Sequence, residues 1–179
     1  MRRLFMPDYC LLSYRDITPS FIQKHGIQAL LLDIDNTLEP YEHNEPTEEL
    51  LQWLSNLEEL GVRVAFISNN KRERVEHFNE KLGYVAFWYS CKPFKRNIVK
   101  AMRALSVNKE NTFFMGDQIW TDVWGAHNAG LNAIIVPPIR DKQNFITKVK
   151  RVLERPFLKK YRKEHPETYG SEVWTRWKL

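Results

Sequence analysis

Cysteine is scarce: the 179 residues carry two, Cys10 and Cys91. Two thiols cannot build a disulfide framework or, alone, a cysteine-based zinc site. A reducing compartment is the simplest reading. Glycine and proline are also few, at 7 and 9, which excludes collagen-like and Gly/Ser-linker architectures. No apolar run approaches the roughly 18 residues that a membrane-spanning helix needs. The first residues include Arg2 and Arg3, but the apolar stretch after them is broken by Pro7 and Asp8, so it is a poor signal peptide. There is no internal repeat and no low-complexity tract. These absences predict a cytoplasmic chain that would meet a membrane only at its surface.

What is present suits one globular domain. Hydrophobic residues make up 43% and charged residues 27%, enough to bury a core. The formal net charge is +5 and the pI is about 9.2, a modest bias toward anionic partners.

Short apolar runs alternate with segments of helical period. Ala29–Asp33, Val62–Ile67, Val85–Trp88, Thr112–Met115 and Ala133–Val136 are rich in Val, Ile, Leu and Phe and read as strands buried on both faces. Between them, Thr47 is a helix N-cap candidate before Leu50, Leu54 and Leu57, and Gly61 ends that segment. Lys71–Leu82, Phe94–Leu105, Ile119–Ala129 and Asn144–Leu153 are further helices, and Thr18–Pro19 would start a short one. This order predicts an α/β fold: a three-layer α/β/α sandwich around a mainly parallel five-stranded sheet. Residues 1–28 would be an N-terminal extension, 29–155 the domain, and 156–179 a basic C-terminal tail of net charge +3. Trp174 and Trp177 in that tail would dock on the domain or touch an acidic membrane or a partner, docking being the plainer reading.

Ligands of an open parallel sheet bind at the carboxyl ends of the strands. Four of the five runs deliver small polar or charged groups there: Asp33-Ile34-Asp35-Asn36-Thr37, Ser68-Asn69-Asn70, Lys92-Pro93, and Gly116-Asp117 with Asp122 close behind. Asp33 and Asp35, two apart, share a side. With Asp117 they would gather three negative charges in one cleft, which calls for a cation. An all-oxygen set suits Mg²⁺ rather than zinc. Such an ion would lower the repulsion between a phosphate and an anionic nucleophile, while Ser68 and Lys92 would face phosphoryl oxygens.

DIDNTL, the Ser68 of ISNN, the Lys92 of CKP and GDQIWTD, in this order behind the strands, resemble motifs I to IV of the haloacid dehalogenase superfamily of phosphohydrolases. The resemblance spans roughly residues 28–137 and implies that superfamily's Rossmannoid fold. It implies Asp33 as nucleophile forming an aspartyl-phosphate, and Asp35 as general acid and then base. Thr37 would order the turn. Ser68, Asn69 and Thr37 would form the phosphate site, and Lys92 would pair with Asp33 and the transferred phosphate. Mg²⁺ would sit on Asp33, Asp117 and the main-chain carbonyl of Asp35, with Asp122 behind, orienting Lys92 or a metal-bound water. Having both the second carboxylate and the metal carboxylates leaves phosphatase or phosphomutase chemistry. Only 33 residues separate Asp35 from Ser68 and 24 separate Ser68 from Lys92. Neither gap holds a cap domain, so an open site and hydrolysis are expected.

Lys71, Arg72 and Arg74 open one helix on this edge, and Lys95 and Arg96 open the next. They form a basic rim for a substrate with more than one anionic group, or for an anionic lipid. Trp120 reads equally as a substrate contact or a loop cover, Trp124 as core, His43 as a solvated loop residue and Cys91 as a packing residue. The flanking text, from Pro7-Asp8 through GDQIWTDVWGA, is similar to capless subclass III bacterial phosphatases related to the mitochondrial phosphatidylglycerophosphate phosphatases. That implies phosphatidylglycerophosphate as leading substrate for a peripheral enzyme. A phosphatase of a soluble nucleotide, sugar phosphate or phosphorylated macromolecule is the alternative. A non-catalytic phosphate- or nucleic-acid-binding protein is a different class, but no motif residue is missing and no nucleic-acid recognition motif is present.

Overall fold

The computed structural model describes residues 4–140, 145–166, 175 and 177. Among the described residues, six parallel strands run β1 (Tyr9–Cys10), β2 (Ala29–Leu32), β3 (Arg63–Ile67), β4 (Val85–Phe87), β5 (Thr112–Gly116) and β6 (Asn132–Ile135), in spatial order β1-β6-β5-β2-β3-β4. Sequence reasoning counted five. The sixth, β1, is two residues long and pairs Tyr9 with Ile134 and Cys10 with Ile135, too short to show any alternation. The segment before residue 29 also places Leu11, Tyr14, Ile17 and Ile22 in the core.

Successive strand residues point to opposite faces, and both faces are covered. Leu30, Leu32, Val64 and Phe66 pack under α1 (Pro19–His25), α2 (Glu48–Glu59) and α3 (Arg72–Asn79). Leu31, Ala65, Ile67 and Phe114 pack under α4 (Arg96–Ala104), α5 (Trp124–Ala129) and α6 (Phe145–Glu164). This double burial is why the runs look continuously apolar. Thr47 caps α2 by accepting from the Leu50 amide, and Thr18 caps α1 by accepting from that of Phe21.

Two helices differ from expectation. Ile119–Val123 forms a wider π-type turn before α5 begins. The last helix was expected to stop at Leu153, ahead of Pro156. It continues to Glu164, because Leu158 and Tyr161 lie one and two turns further on and are buried against the sheet. Tertiary packing outweighs the donor that proline lacks. Trp177 is buried in the same cluster, whereas Trp174, Arg176 and Lys178 lie outside the described residues. Among the described residues, no helix is long and apolar enough to cross a membrane. The chain steps from β2 through β3 to β4 on one side, then returns to β5 on the other. The carboxyl ends of β2, β3 and β5 therefore flank a topological switch point, where α/β sheets bind ligands.

Candidate active site

Asp33 follows β2, its amide donating to the Met115 carbonyl at 2.9 Å. The chain then turns through Asn36, whose φ of 66° is left-handed, a conformation that asparagine tolerates. That turn brings Thr37 Oγ1 back to donate to Asp33 Oδ2 at 3.1 Å. The other oxygen, Oδ1, accepts from Lys92 Nζ at 2.5 Å. Lys92 Nζ also pairs with Asp122 Oδ1 at 2.7 Å, and the lysine side chain is only 2% exposed. Asp122 Oδ2 accepts from the Gln118 amide at 2.9 Å. One ammonium thus ties the end of β2 to the turn that follows β5.

Asp117, at the end of β5, is fully buried. Its Oδ2 accepts from Arg151 Nη2, while its Oδ1 is buried with no hydrogen-bond partner. Asp33, Asp117 and Asp122 each bring one carboxylate oxygen within 4.8 Å of the other two. Asp35 stands apart from this trio: its Oδ2 accepts from Asn70 Nδ2 at 3.0 Å and its Oδ1 pairs with Arg74 at 3.0 Å. Ser68, at the end of β3, is buried, and its Oγ accepts from the Asn70 amide. Asn69 grips the main chain of Lys92, accepting from its amide at 2.7 Å. Asp33, Asp35, Ser68, Asn69, Lys92 and Asp122 line one cleft of about 380 Å³.

The charges suit a divalent cation. Asp33, Asp35, Asp117, Asp122 and Glu154 pair with Lys92, Arg74 and Arg151, and Lys150 also lines the cleft. The crowding of Asp33, Asp117 and Asp122 and the orphaned Asp117 Oδ1 fit a hard, oxygen-seeking ion. Burial pushes Asp33 up, to about 8, against the opposing pull of Lys92. It also pushes Asp117 up, to about 6, against Arg151. For Lys92, burial is outweighed by Asp122 and Asp33, which raise it above its usual range. Metal charge at the cluster would favour the ionised carboxylates.

The profile of haloacid dehalogenase-like hydrolases matches residues 14–130. The chain belongs to this family. It is 32% identical over 158 residues, 88% of its length and 92% of the relative's, to the "Probable phosphatase YqeG" of Bacillus subtilis strain 168. A glyceraldehyde 3-phosphate phosphatase of Pyrococcus abyssi is 27% identical over 90 residues, 45% of this chain and 38% of the relative. Among solved structures, the cobalt-bound deoxy-D-mannose-octulosonate 8-phosphate phosphatase of Haemophilus influenzae superposes with a TM-score of 0.51 at 14% identity, covering 81% of this chain and 95% of that one. That likeness concerns the fold alone. Family and relatives together make this hydrolase a phosphatase.

The rest of this phosphatase's predicted rim divides. Arg74 turns inward, onto Asp35 and the His43 carbonyl. Arg72, two residues earlier, points elsewhere, pairing with Glu76 and lying over the Trp88 ring. Lys71, Lys95 and Arg96 are exposed at their helix starts and do not line the cleft. Trp120 is a cover: its ring packs on Phe5 and Phe157, and Nε1 donates to the Lys150 carbonyl at 3.4 Å. Trp124 is half-buried against Phe5. His43 lies outside the cleft, beside Glu39. Cys91 is exposed rather than packed, at a left-handed φ of 51°.

Sequence reasoning missed Arg151 and Glu154. Glu154 is fully buried. Its Oε1 accepts from the Ile119 amide at 2.9 Å and its Oε2 accepts from Arg151 Nη1 at 3.0 Å. The available signal was spacing: residues 151, 154, 158 and 161 fall on one helical face, so an Arg and a Glu there share the buried side with Leu158 and Tyr161.

Proposed function

We propose that the chain is a Mg²⁺-dependent phosphomonoester hydrolase working through an aspartyl-phosphate. The observation that carries this reading is the bridge of Lys92 between Asp33 and Asp122, beside the unpartnered oxygen of Asp117. Asp33, Asp117 and the main-chain carbonyl of Asp35 would hold the ion, which when bound supplies charge to offset the approach of two anions. Asp33 attacks phosphorus, with Thr37 and Lys92 fixing its carboxylate. Lys92, Ser68 and nearby amides meet the phosphoryl oxygens. Asp35, less buried than Asp33 and set between Asn70 and Arg74, donates a proton to the leaving oxygen. It then takes one from the water that cleaves the acyl phosphate. Asp122 orients Lys92. Asn69, which holds the Lys92 main chain, serves the phosphate site by placing that ammonium.

The short intervals between motifs leave no room for a cap domain, and an open cleft admits a large ester. Phosphatidylglycerophosphate is the leading substrate, supported by the likeness of the flanking sequence and by the exposed Lys71, Lys95 and Arg96 on the catalytic edge. The enzyme would then work as a peripheral protein at the inner face of a membrane. A soluble sugar phosphate is the second reading, favoured by the glyceraldehyde 3-phosphate phosphatase among the relatives.

The test has two arms. Asp33→Asn abolishes hydrolysis of p-nitrophenyl phosphate while circular dichroism stays native; normal turnover by that variant ends the aspartyl mechanism. Phosphatidylglycerophosphate in mixed micelles is cleaved in preference to soluble sugar phosphates and nucleotides. If only the soluble esters react, the lipid reading gives way to the second one.

A further inference from the structure

We propose that Arg151 and Glu154 of α6 are positioning residues for the divalent cation, fixing Asp117 so that Oδ1 is the oxygen left to bind it. The inference rests on the metal-dependent reading above and adds to it a part of the chain beyond residues 14–130, the stretch that the family profile matches.

Consider Asp117 without its partners. It sits at the end of a strand, where the sheet no longer constrains its neighbours, and its carboxylate can rotate. Arg151 removes that freedom with one guanidinium. Nη2 donates to Oδ2 of Asp117, and Nη1 donates to the main-chain carbonyl of the same residue at 2.6 Å. Gripping side chain and main chain together fixes both torsions of the aspartate. Glu154 completes the brace. Through Oε2 it holds Arg151, and through Oε1 it takes the amide of Ile119, two residues beyond Asp117. The turn that carries the metal carboxylate is therefore pinned at both ends by one helix.

Burial makes the brace matter. Asp117 and Glu154 have no solvent exposure and the Arg151 side chain has 15%. An exposed ion pair of this kind would contribute little; here water cannot replace the contacts. Arginine suits this geometry, since its planar fork presents two nitrogens at a fixed spacing to three acceptors, whereas an ammonium offers its donors from a single point. Oδ1 of Asp117, left over by this arrangement, is buried and unpartnered. A polar atom in that state is costly unless something binds it.

A rival account makes Arg151 a stand-in cation that the metal must displace. The two accounts differ in sign: removing a positioning residue weakens metal binding, whereas removing a competitor tightens it.

The experiment measures Mn²⁺ binding to the full chain by electron paramagnetic resonance of the free ion, with no turnover involved. The unmodified chain binds saturably. Arg151→Met weakens binding about ten- to hundredfold, the usual effect of losing an outer partner of a metal ligand. Arg151→Lys also weakens it, because charge is kept and the fork is lost. Glu154→Gln gives a smaller loss, because the acceptor for Ile119 can be retained. Equal or tighter binding by a folded Arg151→Met overturns the proposal. Should that variant lose its native circular dichroism, Arg151→Lys decides, and an affinity equal to the parent's overturns it. If the unmodified chain binds no Mn²⁺, the metal-dependent reading fails and this inference falls with it. That result differs from one in which the parent binds and the variants match it.

Discussion

Gly116 ends β5 directly before Asp117, and its backbone is not left-handed. Its need for glycine is spatial. A Cβ at this position would land on Cβ and Cγ of Asp122. Asp122 cannot retreat cheaply, for Oδ2 is held by the Gln118 amide at 2.9 Å and Oδ1 by Lys92 at 2.7 Å. Gly116→Ala must therefore push the carboxylate off at least one partner. Overpacking of a tight interior costs about 1–3 kcal/mol, and a lost charge-assisted hydrogen bond about 1.5–3 kcal/mol. Alanine returns roughly 0.4–1 kcal/mol by stiffening the unfolded chain. The net expectation is a loss of about 1.5–5.5 kcal/mol. With a slope of about 2 kcal/mol per molar urea, that moves the unfolding midpoint down by about 1–3 M. The same displacement disorients Lys92, so hydrolysis of an aryl phosphate should fall about ten- to hundredfold. Urea unfolding followed by tryptophan fluorescence and a steady-state assay read the two effects. A variant within about 0.3 M of the parent midpoint and with parental turnover would refute the packing argument.

Two further predictions concern the edge of the sheet. Cys10 is fully buried and burial pushes its thiol well above the usual range, while Cys91 is exposed. Ellman's reagent should therefore titrate one thiol in the native protein and the second only in denaturant; two fast thiols would mean that β1 is not seated. Asp8 Oδ2 lies 3.0 Å from His127 Nε2 and accepts from the Ala133 amide at 2.8 Å, stapling the entry of β1 to β6. Asp8→Ala should cost about 1.5–3 kcal/mol in urea unfolding and speed hydrogen exchange at the Ala133 amide, with unchanged exchange as the refuting result.

Local signals carried most of the fold. Hydrophobic runs of four to six residues located five of the six strands because both faces are covered, and the Thr47 and Thr18 caps were readable because capping uses residues adjacent in sequence. The strand-end rule likewise gathered Asp33, Asp35, Ser68, Lys92, Asp117 and Asp122 toward one edge. What escaped depends on long-range contact. Arg151 reaches Asp117 across 34 residues, and no periodicity in α6 names that partner. Arg72 and Arg74 read alike as a basic pair, yet residues two apart on a helix diverge, so one turns onto Asp35 and the other stacks on Trp88. The reach of α6 past Pro156 was decided by the burial of Leu158 and Tyr161, a tertiary effect that overrides propensity.

Residues early and late in the chain clasp each other. Tyr161 donates its hydroxyl to the Asp8 carbonyl, and Phe157 packs edge-on against Phe5. Closing a loop of that length is entropically slow. During synthesis, the strand ends bearing Asp33 and Asp117 leave the ribosome before α6 does, so a nascent chain halted short of residue 151 would carry Asp33, Asp117 and Asp122 without the arginine that steadies one of them. Maturation of the catalytic edge thereby waits until α6 has been made.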